Sequence, residues 1–529
     1  MLHNKKVIFF ISLIFCTFFQ VLPVIRSGLN YSYGMGFWGP NGHDGIWHLS
    51  LINHIENPTK IILPTMAGET LTNYHPFFDI LIKSISSLTH IPSVNLLFQI
   101  MPILMALSFL YLSFLIGGYP LMFLGTFATS LGPLIGKGET TFWAMQSMSN
   151  QLNPPFMLSL VFLSYLIYII YKKKKLKNYD YILTFVFLSL LPITKIYAAP
   201  IGFFLYFIFS LRQYKTNKTP FTILVLASIS AIFLFLIYNR SASGLLVYKP
   251  LWFINTMFES RDRLYIPKIV GMIYALKDSG VFSPRLFIIE AIGIFIFVIG
   301  NFSFRLLGFY KAKKEFLFLI ILNILIPLFF VQKGTAWNTI QFIYYALFLG
   351  NILLSNYLIK NKKLAIIIII ISFLANISIF QNYLGNPAPT AISHSELSAI
   401  NFLKTQTGGI VLTPVYDPYL KQQYKTTPIP IYAYETTAYL SAFSNKTVFL
   451  EDEMNLQILG KNYETRKTAA KSFFTQNNIF QDRGFLVNNQ IDYVYINKDF
   501  NLNLEQNSTD LGIKKIFENN QVLLFKVQR

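Results

Sequence analysis

The sequence places a carboxylate and several imidazoles close together near its beginning. Five of the seven histidines fall within residues 43–90. Asp44 and His48 are four residues apart, so in a helix their side chains share one face. Apolar residues at helical spacing predict that this helix is amphipathic and lies on the membrane surface; they are Ile46, Leu49, Ile52 and Ile55. A carboxylate at a helix N-terminus stays ionised because the helix dipole favours its charge, which suits a general base or a ligand to a cation. The alternative is a capping aspartate beside interfacial histidines.

Other residues of this region extend the candidate site. His43 precedes Asp44, and His75 lies in a polar stretch, residues 73–79, that begins another helix after a proline. These side chains could face the same cavity as Asp44. An ordinary loop histidine is the alternative for His75.

Three basic residues further along are candidates for binding a phosphate. Arg261 and Arg263 follow a group of aromatic residues, and an arginine fork binds phosphate oxygens bidentately. Lys195 lies between two short apolar runs, where the cost of burying a charge suggests a site. The alternatives are pairing of the arginines with Glu259 and Asp262 on a helix face, and a lysine that extends to the interface.

A membrane-embedded helical fold must position these side chains. Hydrophobic residues are 53% of the chain and charged residues only 13%, which excludes a disordered chain and argues against an ordinary soluble enzyme. Continuous apolar runs of spanning length predict about eleven transmembrane helices. They lie at about 7–25, 95–116, 118–135, 156–171, 181–194, 197–211, 219–238, 286–307, 315–331, 340–359 and 364–381.

Basic residues orient the predicted helices. The net charge is +20, of which residues 1–389 carry +19 and residues 390–529 carry +1. The basic clusters all fall on one side if residues 180–211 form a hairpin that turns near Lys195, and the positive-inside rule places that side in the cytoplasm. The charge therefore indicates topology and not a nucleic-acid partner. The clusters are Lys5-Lys6, Lys172 to Lys177, Arg212 to Lys218, Lys311 to Lys314 and Lys360 to Lys363, with Arg305 counted beside them.

The topology leaves three long loops and a tail outside the membrane. The loops are 26–93, 136–155 and 239–285, and their length indicates that the work is done at the outer face. Residues 390–529 are expected to form a small soluble α/β domain without catalytic spacing. The single cysteine excludes an intrachain disulfide, which for an external domain suits a bacterium or an archaeon. We expect an integral cell-membrane protein with a cytoplasmic N-terminus.

The motif His43-Asp44-Gly45, after one apolar helix and early in a long external loop, resembles the GT-C superfamily of polytopic glycosyltransferases. That superfamily includes RgtA/B/C/D-like and protein mannosyltransferase-like enzymes. Asp44 stands where the family's catalytic acidic residue stands, while His43 replaces the second acidic residue that is often found there. Similar enzymes take another acidic residue from the second external loop, which here is Glu139. A solvated loop glutamate is the alternative.

The resemblance implies a reaction at the outer face of the membrane. A polyprenyl-phosphate-linked donor would give its sugar, with inversion, to a glycan, lipid or protein acceptor, and Asp44 would be the general base beside Glu139. A divalent metal, Mg²⁺ or Mn²⁺, is a candidate cofactor on Asp44, Glu139 and His48, and these mixed ligands leave its identity open. The candidate substrate-binding residues are His43, His48, His75, Lys195, Arg261 and Arg263.

Two other classes of protein remain alternatives. A transporter or lipid flippase would need ionisable residues near the middle of the bilayer, for which Lys195 and Glu290 are the few candidates. A non-catalytic envelope assembly protein would keep the same fold with a degenerate site. The concentration of polar residues in the external loops favours the enzyme.

Overall fold

The computed structural model describes residues 2–239, 246–278, 283–310, 312–475, 479–502, 504–506 and 508–528. Lys311 of one basic cluster and parts of the predicted third external loop lie outside the described residues. The chain folds into two compact units, each built from segments that are distant in sequence. The helical unit comprises Met1–Pro23, Pro102–Ile237 and Ala242–Leu384. The mixed unit comprises Val24–Met101, Tyr238–Ser241 and Gly385–Arg529.

The described elements are mainly helical. In chain order the helices are α1 (Leu2–Ile25), α2 (Asp44–His54), α3 (Phe77–Thr89), α4 (Ser93–Asn95), α5 (Met101–Phe127), α6 (Pro154–Tyr171), α7 (Asn178–Thr194), α8 (Ala199–Gln213), α9 (Thr219–Tyr238), α10 (Trp252–Glu259), α11 (Pro267–Asp278), α12 (Pro284–Phe302), α13 (Lys314–Phe329), α14 (Gln341–Leu358), α15 (Lys362–Ala375), α16 (Ile377–Leu384), α17 (His394–Thr405), α18 (Ile431–Tyr434), α19 (Tyr439–Ser444), α20 (Glu453–Ile458), α21 (Glu464–Thr475), α22 (Ile479–Asn488) and α23 (Ser508–Leu511). The strands are β1 (Leu29–Tyr31), β2 (Gly34–Phe37), β3 (Leu246–Tyr248), β4 (Phe330–Gln332), β5 (Thr390–Ile392), β6 (Ile410–Leu412), β7 (Ile429–Pro430), β8 (Thr447–Val448), β9 (Ile491–Asn497), β10 (Ile513–Glu518) and β11 (Val522–Val527).

Six helical stretches among the described residues are long and apolar enough to cross a membrane, or seven if α15 and α16, bent by 41°, form one span. Every apolar run that the sequence predicts contains a helix, but the count of about eleven transmembrane helices is not confirmed. The break predicted between 95–116 and 118–135 is present inside α5. Gly118 has φ 64° and ψ −161° there, a backbone conformation that glycine adopts readily and other residues avoid.

The predicted pair of short helices around Lys195 is confirmed. Helix α7 ends at Thr194, and Lys195 has an extended backbone with φ −160° and ψ 107°. A short 3₁₀ turn, Ile196–Ala198, leads into α8. Because α7 and α8 also pack against each other, the pair forms the hairpin that the basic clusters require. The side of the membrane on which it turns stays a prediction.

A buried arginine holds the helical unit together at the level of the loop at residues 136–155. Arg305 is only 1% exposed, so counting it among the topology-determining basic residues was wrong. Its Nε donates to Asn351 Oδ1 at 2.7 Å, and Nη1 donates to Gln146 Oε1 at 3.0 Å. The same guanidinium donates to the backbone carbonyls of Ala128, Thr129 and Asn301. Arg305 therefore joins the loop after α5 to α12 and α14.

The mixed unit combines the predicted first external loop, residues 26–93, with the tail. A four-stranded sheet has the order β1-β2-β5-β7, in which β2 from the loop pairs antiparallel with β5 from the tail. The tail adds a five-stranded sheet in the order β10-β11-β9-β6-β8. In this sheet β6 pairs parallel with β9, and β10 and β11 form an antiparallel hairpin at the end of the tail. The membrane and soluble domains predicted on either side of residue 389 stay a prediction.

A second connection between loop and tail is made by backbone hydrogen bonds. The amide of Val448 donates to Pro64 O at 2.8 Å, and the amide of Ala67 donates to Val448 O at 2.9 Å. The amide of Glu451 donates to Thr65 O at 3.0 Å. These bonds fix the residues that immediately precede Asp452.

Replacing Arg305 by Gln should destabilise the folded helical unit strongly. The change leaves several buried acceptors without a donor, and each unsatisfied group costs on the order of 1–3 kcal/mol. The matched change is Arg212→Gln, because Arg212 is 57% exposed and pairs with Glu315, and exposed pairs contribute about 1 kcal/mol or less. Unfolding midpoints in detergent should fall clearly for Arg305→Gln and little for Arg212→Gln. Equal midpoints for the two variants would show that the buried network is not needed.

Candidate functional site

Asp44 is the first residue of α2 and presents its carboxylate to solvent. Its side chain is 53% exposed, whereas the residues that follow it in the helix are buried. This placement at the helix start is the predicted one. The helix dipole favours the ionised carboxylate there, so Asp44 offers a negatively charged oxygen at the surface of an otherwise packed element.

His43 links Asp44 to a second carboxylate in the tail. The ring Nδ1–H donates to Asp44 Oδ1 at 2.8 Å, and Nε2–H donates to Asp452 Oδ1 at 3.1 Å. Burial alone would disfavour the imidazolium, but the two carboxylates outweigh it and hold the pKa of His43 well above its ordinary value. The ring is therefore protonated at neutral pH. We call Asp44, His43 and Asp452 the carboxylate–imidazolium chain.

Asp452 is fixed by its own backbone and by Asn455. It has φ 56° and caps α20, where its side chain accepts from the backbone amide of Asn455. The Nδ2 of Asn455 also donates to Asp452 Oδ2 at 2.9 Å. Asp452 is 1% exposed, so its charge is compensated by these donors and by His43. The carboxylate–imidazolium chain is thus anchored at its buried end, and its other end, Asp44, is about half exposed.

The surroundings of α2 correct one expectation. Isoleucines and leucines at helical spacing predict an amphipathic helix that lies on the membrane surface, and this is wrong because almost all of α2 is buried within the mixed unit. Ser50 Oγ lies 2.6 Å from Ser441 Oγ, and Asn53 Nδ2 donates to Ala442 O at 2.7 Å. Helix α19 of the tail therefore covers α2 and stabilises the position of Asp44.

A second histidine–carboxylate pair lies one turn along α2. His48 Nδ1–H donates to Asp79 Oδ1 at 2.7 Å, and both side chains are buried. Trp47 Nε1 donates to the hydroxyl of Tyr74 at 3.1 Å, and the ring of His75 stacks on Tyr74 with 4.9 Å between the ring centres. His48 and Asp79 hold α2 to α3, so the structure gives His48 a positioning role.

A small cavity of about 40 Å³ borders Asp452 inside the mixed unit. Glu435, Thr436, Tyr416 and Glu451 are among the residues that line it. Burial raises the pKa of Glu451 to about 8, and its Oε2 has no hydrogen-bond partner among the described residues. Burial also raises the pKa of Glu435, and the negative charges of Asp44 and Asp452 add to this. Hydroxyl and carboxyl groups of this kind bind ligand hydroxyls.

Glu139 lies in the helical unit, in the loop after α5. Ser149 donates a hydrogen bond to its Oε1, and its Oε2 is buried without a hydrogen-bond partner among the described residues. Burial raises the pKa of Glu139 to about 7. A carboxyl with this pKa can donate or accept a proton near neutral pH, so the solvated-glutamate alternative does not describe it.

The predicted phosphate-binding residues have different surroundings. The Arg263 guanidinium lies 4.2 Å above the Trp143 ring and donates to Thr140 Oγ1 at 3.1 Å, so it is held against the loop that carries Glu139. Arg261 is exposed. Lys195 is buried, and its Nζ donates to Asn153 Oδ1 at 3.3 Å. Their roles in binding phosphate stay predictions.

The predicted metal site finds no support in the arrangement of these residues. In the described part of the chain, no group of three or more His, Cys, Asp or Glu side chains is placed to hold a metal ion. Asp44 accepts from protonated His43, and His48 Nδ1 is bonded to Asp79. Glu139 belongs to the helical unit and the other two candidates to the mixed unit.

Sequence reasoning missed two residues that position the site. Asp452 is not identifiable from the sequence, because its contact with His43 joins residues 409 positions apart. The one sequence feature that could have pointed to Asp452 is weak: Glu451 to Glu453 form a run of three carboxylates in a nearly neutral segment. Asp79 was seen as part of a helix start, and nothing in its spacing identifies His48 as its partner.

Comparisons with known proteins give a structural likeness only. No protein-family model matches the chain, and no curated protein matches it. One similar solved structure is the oligosaccharyltransferase AglB from Archaeoglobus fulgidus in complex with an inhibitory peptide and a dolichol-phosphate, with a TM-score of 0.47 and 12% identity over 96% of this chain and 71% of that one. The structure of the same enzyme in complex with Zn and sulfate has a TM-score of 0.47 and 14% identity, over 92% of this chain and 68% of that one. A likeness at this level of identity and TM-score carries no conclusion about the reaction.

The raised pKa of His43 predicts a pH-dependent contribution to stability. Since the folded-state pKa lies above the unfolded one, the contribution is complete below the unfolded value of about 6.5 and is lost as pH rises through the folded value. The difference in unfolding midpoint between wild type and His43→Gln should therefore be largest below about pH 6.5 and shrink as the pH rises above it. His394→Gln, a change at an exposed histidine of the same unit, is the matched variant that controls for the loss of a histidine side chain. A difference for His43→Gln that is constant with pH would contradict a protonated ring.

Proposed function

We propose that this protein is a membrane glycosyltransferase that moves a sugar from a polyprenyl-phosphate-linked donor to an acceptor at the outer face of the membrane. The observation that supports this best is the carboxylate–imidazolium chain, in which an exposed carboxylate is held by a buried, doubly bonded ring. Asp44 is held by His43 on one side while about half of its side chain stays exposed, so a ligand in solution can reach its carboxylate.

In the proposed reaction Asp44 accepts the hydrogen of the acceptor's nucleophilic group. As the acceptor atom bonds to the anomeric carbon, its proton passes to the Asp44 carboxylate. The bond from the anomeric carbon to the phosphate oxygen breaks, and polyprenyl phosphate leaves from the opposite face, which inverts the anomeric centre. This is general-base catalysis, and it requires a carboxylate that is ionised and accessible. The helix start and the exposure of Asp44 supply both conditions.

His43 and Asp452 act as positioning residues in this proposal. The imidazolium occupies Asp44 Oδ1, so the carboxylate is held in one orientation toward its ligand. Asp452 keeps the ring charged, because without a second carboxylate a buried imidazolium would tend to lose its proton. The Asp44 side chain therefore loses its conformational entropy on folding, and no further ordering is needed when the substrate reacts.

The cavity beside Asp452 supports a hydroxyl-bearing acceptor such as a glycan. Thr436 Oγ1 donates to Glu453 Oε2 at 2.5 Å, and Glu435 and Tyr416 line the same cavity. Its volume of about 40 Å³ holds one hydroxyl or hydroxymethyl group and not a whole sugar ring. We propose that one substituent of the acceptor enters this cavity while the reacting group meets Asp44.

The donor is proposed to bind through the basic residues predicted from the sequence. Arg263 and Lys195, with Arg261 and His75, are the candidates for its phosphate, because guanidinium and ammonium groups stabilise the charge that develops on the leaving phosphate. Glu139, with a pKa of about 7, is the candidate for a second proton-transfer group. Each of these assignments is a proposal that its own substitution tests.

Asp44→Asn should abolish transfer in a protein that still folds, because the amide oxygen of Asn can accept the same hydrogen bond from His43 Nδ1. The amide keeps the shape of the side chain but cannot accept a proton, and loss of a general base costs at least about 100-fold in rate. The measurement is the envelope glycan of a deletion strain that carries the variant, analysed by mass spectrometry, together with release of polyprenyl phosphate by purified protein.

Asp510→Asn is the matched change, because Asp510 is an exposed aspartate of the same unit. It should support wild-type glycan levels. If Asp44→Asn restores the glycan as well as wild type does, the enzyme proposal fails and a transport or assembly role replaces it.

A further inference from the structure

The helical unit contains a cavity of about 560 Å³ that the proposed reaction does not use. It is bordered by the last turns of α6 and α14, by the first turn of α13 and by residues just before the break in α5. Its walls include Ile116, Ile167, Leu353 and Phe316. The volume lies within the range of pockets that enclose a small organic ligand, and the walls favour an apolar one.

Three lysines line the same cavity. Lys172 follows α6, Lys313 precedes α13 and Lys360 follows α14, and all three side chains are exposed. The Nζ of Lys313 lies 4.0 Å from the centre of the Tyr171 ring. One cavity is thus lined both by apolar side chains and by three positive charges.

The charges around these lysines leave a local excess of positive charge. Glu315 is the acidic group beside Lys313, and it accepts from Tyr171 at 3.0 Å and pairs with Arg212 at 3.4 Å. Burial lowers the pKa of Lys313, and Arg212 and Lys172 lower it further against the opposing effect of Glu315. A bound anion would relieve this repulsion.

We propose that this cavity binds an anionic phospholipid, with its phosphate on Lys172, Lys313 and Lys360 and the first part of its acyl chain against the apolar wall. A free phosphate would satisfy the lysines but leave the apolar surface hydrated, whereas a lipid covers both. Helix α6 and the helical stretch Pro284–Phe309, whose Gly308 lines the cavity, are long and apolar enough to span a bilayer, and basic pockets between such helices suit acidic headgroups. This proposal is independent of the glycosyltransferase proposal.

The test measures lipids retained by the purified full-length chain. Native mass spectrometry from detergent would compare phosphatidylglycerol with phosphatidylcholine of the same acyl chains. Wild type should retain phosphatidylglycerol about tenfold more than phosphatidylcholine. The triple variant Lys172→Gln, Lys313→Gln and Lys360→Gln should lose this preference.

A matched triple variant separates a site from general charge. Lys174→Gln, Lys175→Gln and Lys215→Gln remove the same charge from exposed positions that do not line the cavity, and this protein should keep the preference. Asn356→Trp places a large side chain at an exposed residue of the lining without changing any charge. It should reduce retention of phosphatidylglycerol about as much as the lysine changes do.

Three results would overturn the proposal. The first is that wild type retains the two lipids equally, and the second is that both lysine triple variants lose the preference for phosphatidylglycerol to the same extent. The third is that an equal concentration of glycerol phosphate displaces all of the bound phosphatidylglycerol. The last result would identify a site for a soluble phosphate. If the cavity triple does not fold, unchanged retention by Asn356→Trp is sufficient to reject the site.

Discussion

The arrangement of the mixed unit depends on one protonated ring between two carboxylates. His43 is buried, and a buried charge is tolerated only when it is paired and hydrogen-bonded. Asp452 and Asp44 each provide a negative charge and a hydrogen-bond acceptor, with their Oδ1 atoms 3.1 Å from Nε2 and 2.8 Å from Nδ1 of His43. Removing either carboxylate would leave an uncompensated charge or a neutral ring with an unsatisfied nitrogen. The position of Asp44 is therefore linked to a tail residue 409 positions away.

Backbone pairing allows that link to form. Strand β2 pairs with β5, and the backbone of Pro64 to Ala67 bonds to residues around Val448 and Glu451. Backbone hydrogen bonds alone therefore join the loop at residues 26–93 and the tail into one unit. The tail is part of the candidate site because it provides Asp452, although the sequence assigns it no catalytic residue.

Local features were predictable from the sequence, and long-range ones were not. Apolar runs predict helices because burial in lipid and burial in protein require the same composition. The predicted interruptions between neighbouring helices are present at Gly118 and at Lys195. The prediction that α2 lies on the membrane surface was wrong for the same reason, because apolar residues at helical spacing do not reveal whether lipid or protein covers them. The pairs His43–Asp452 and His48–Asp79 leave no periodic signal, because a tertiary contact has no fixed spacing. Arg305 was misread because charge alone does not reveal burial.

The most direct test of the account is a double-mutant cycle on His43 and Asp452, measured as the rate of sugar transfer by folded protein. If both residues act only by holding Asp44, then His43→Gln and Asp452→Asn should each reduce the rate, and the double variant should be no slower than the slower single variant. Losses that multiply would contradict the account, because they would show that the two residues act independently of each other and that the chain through His43 does not position Asp44.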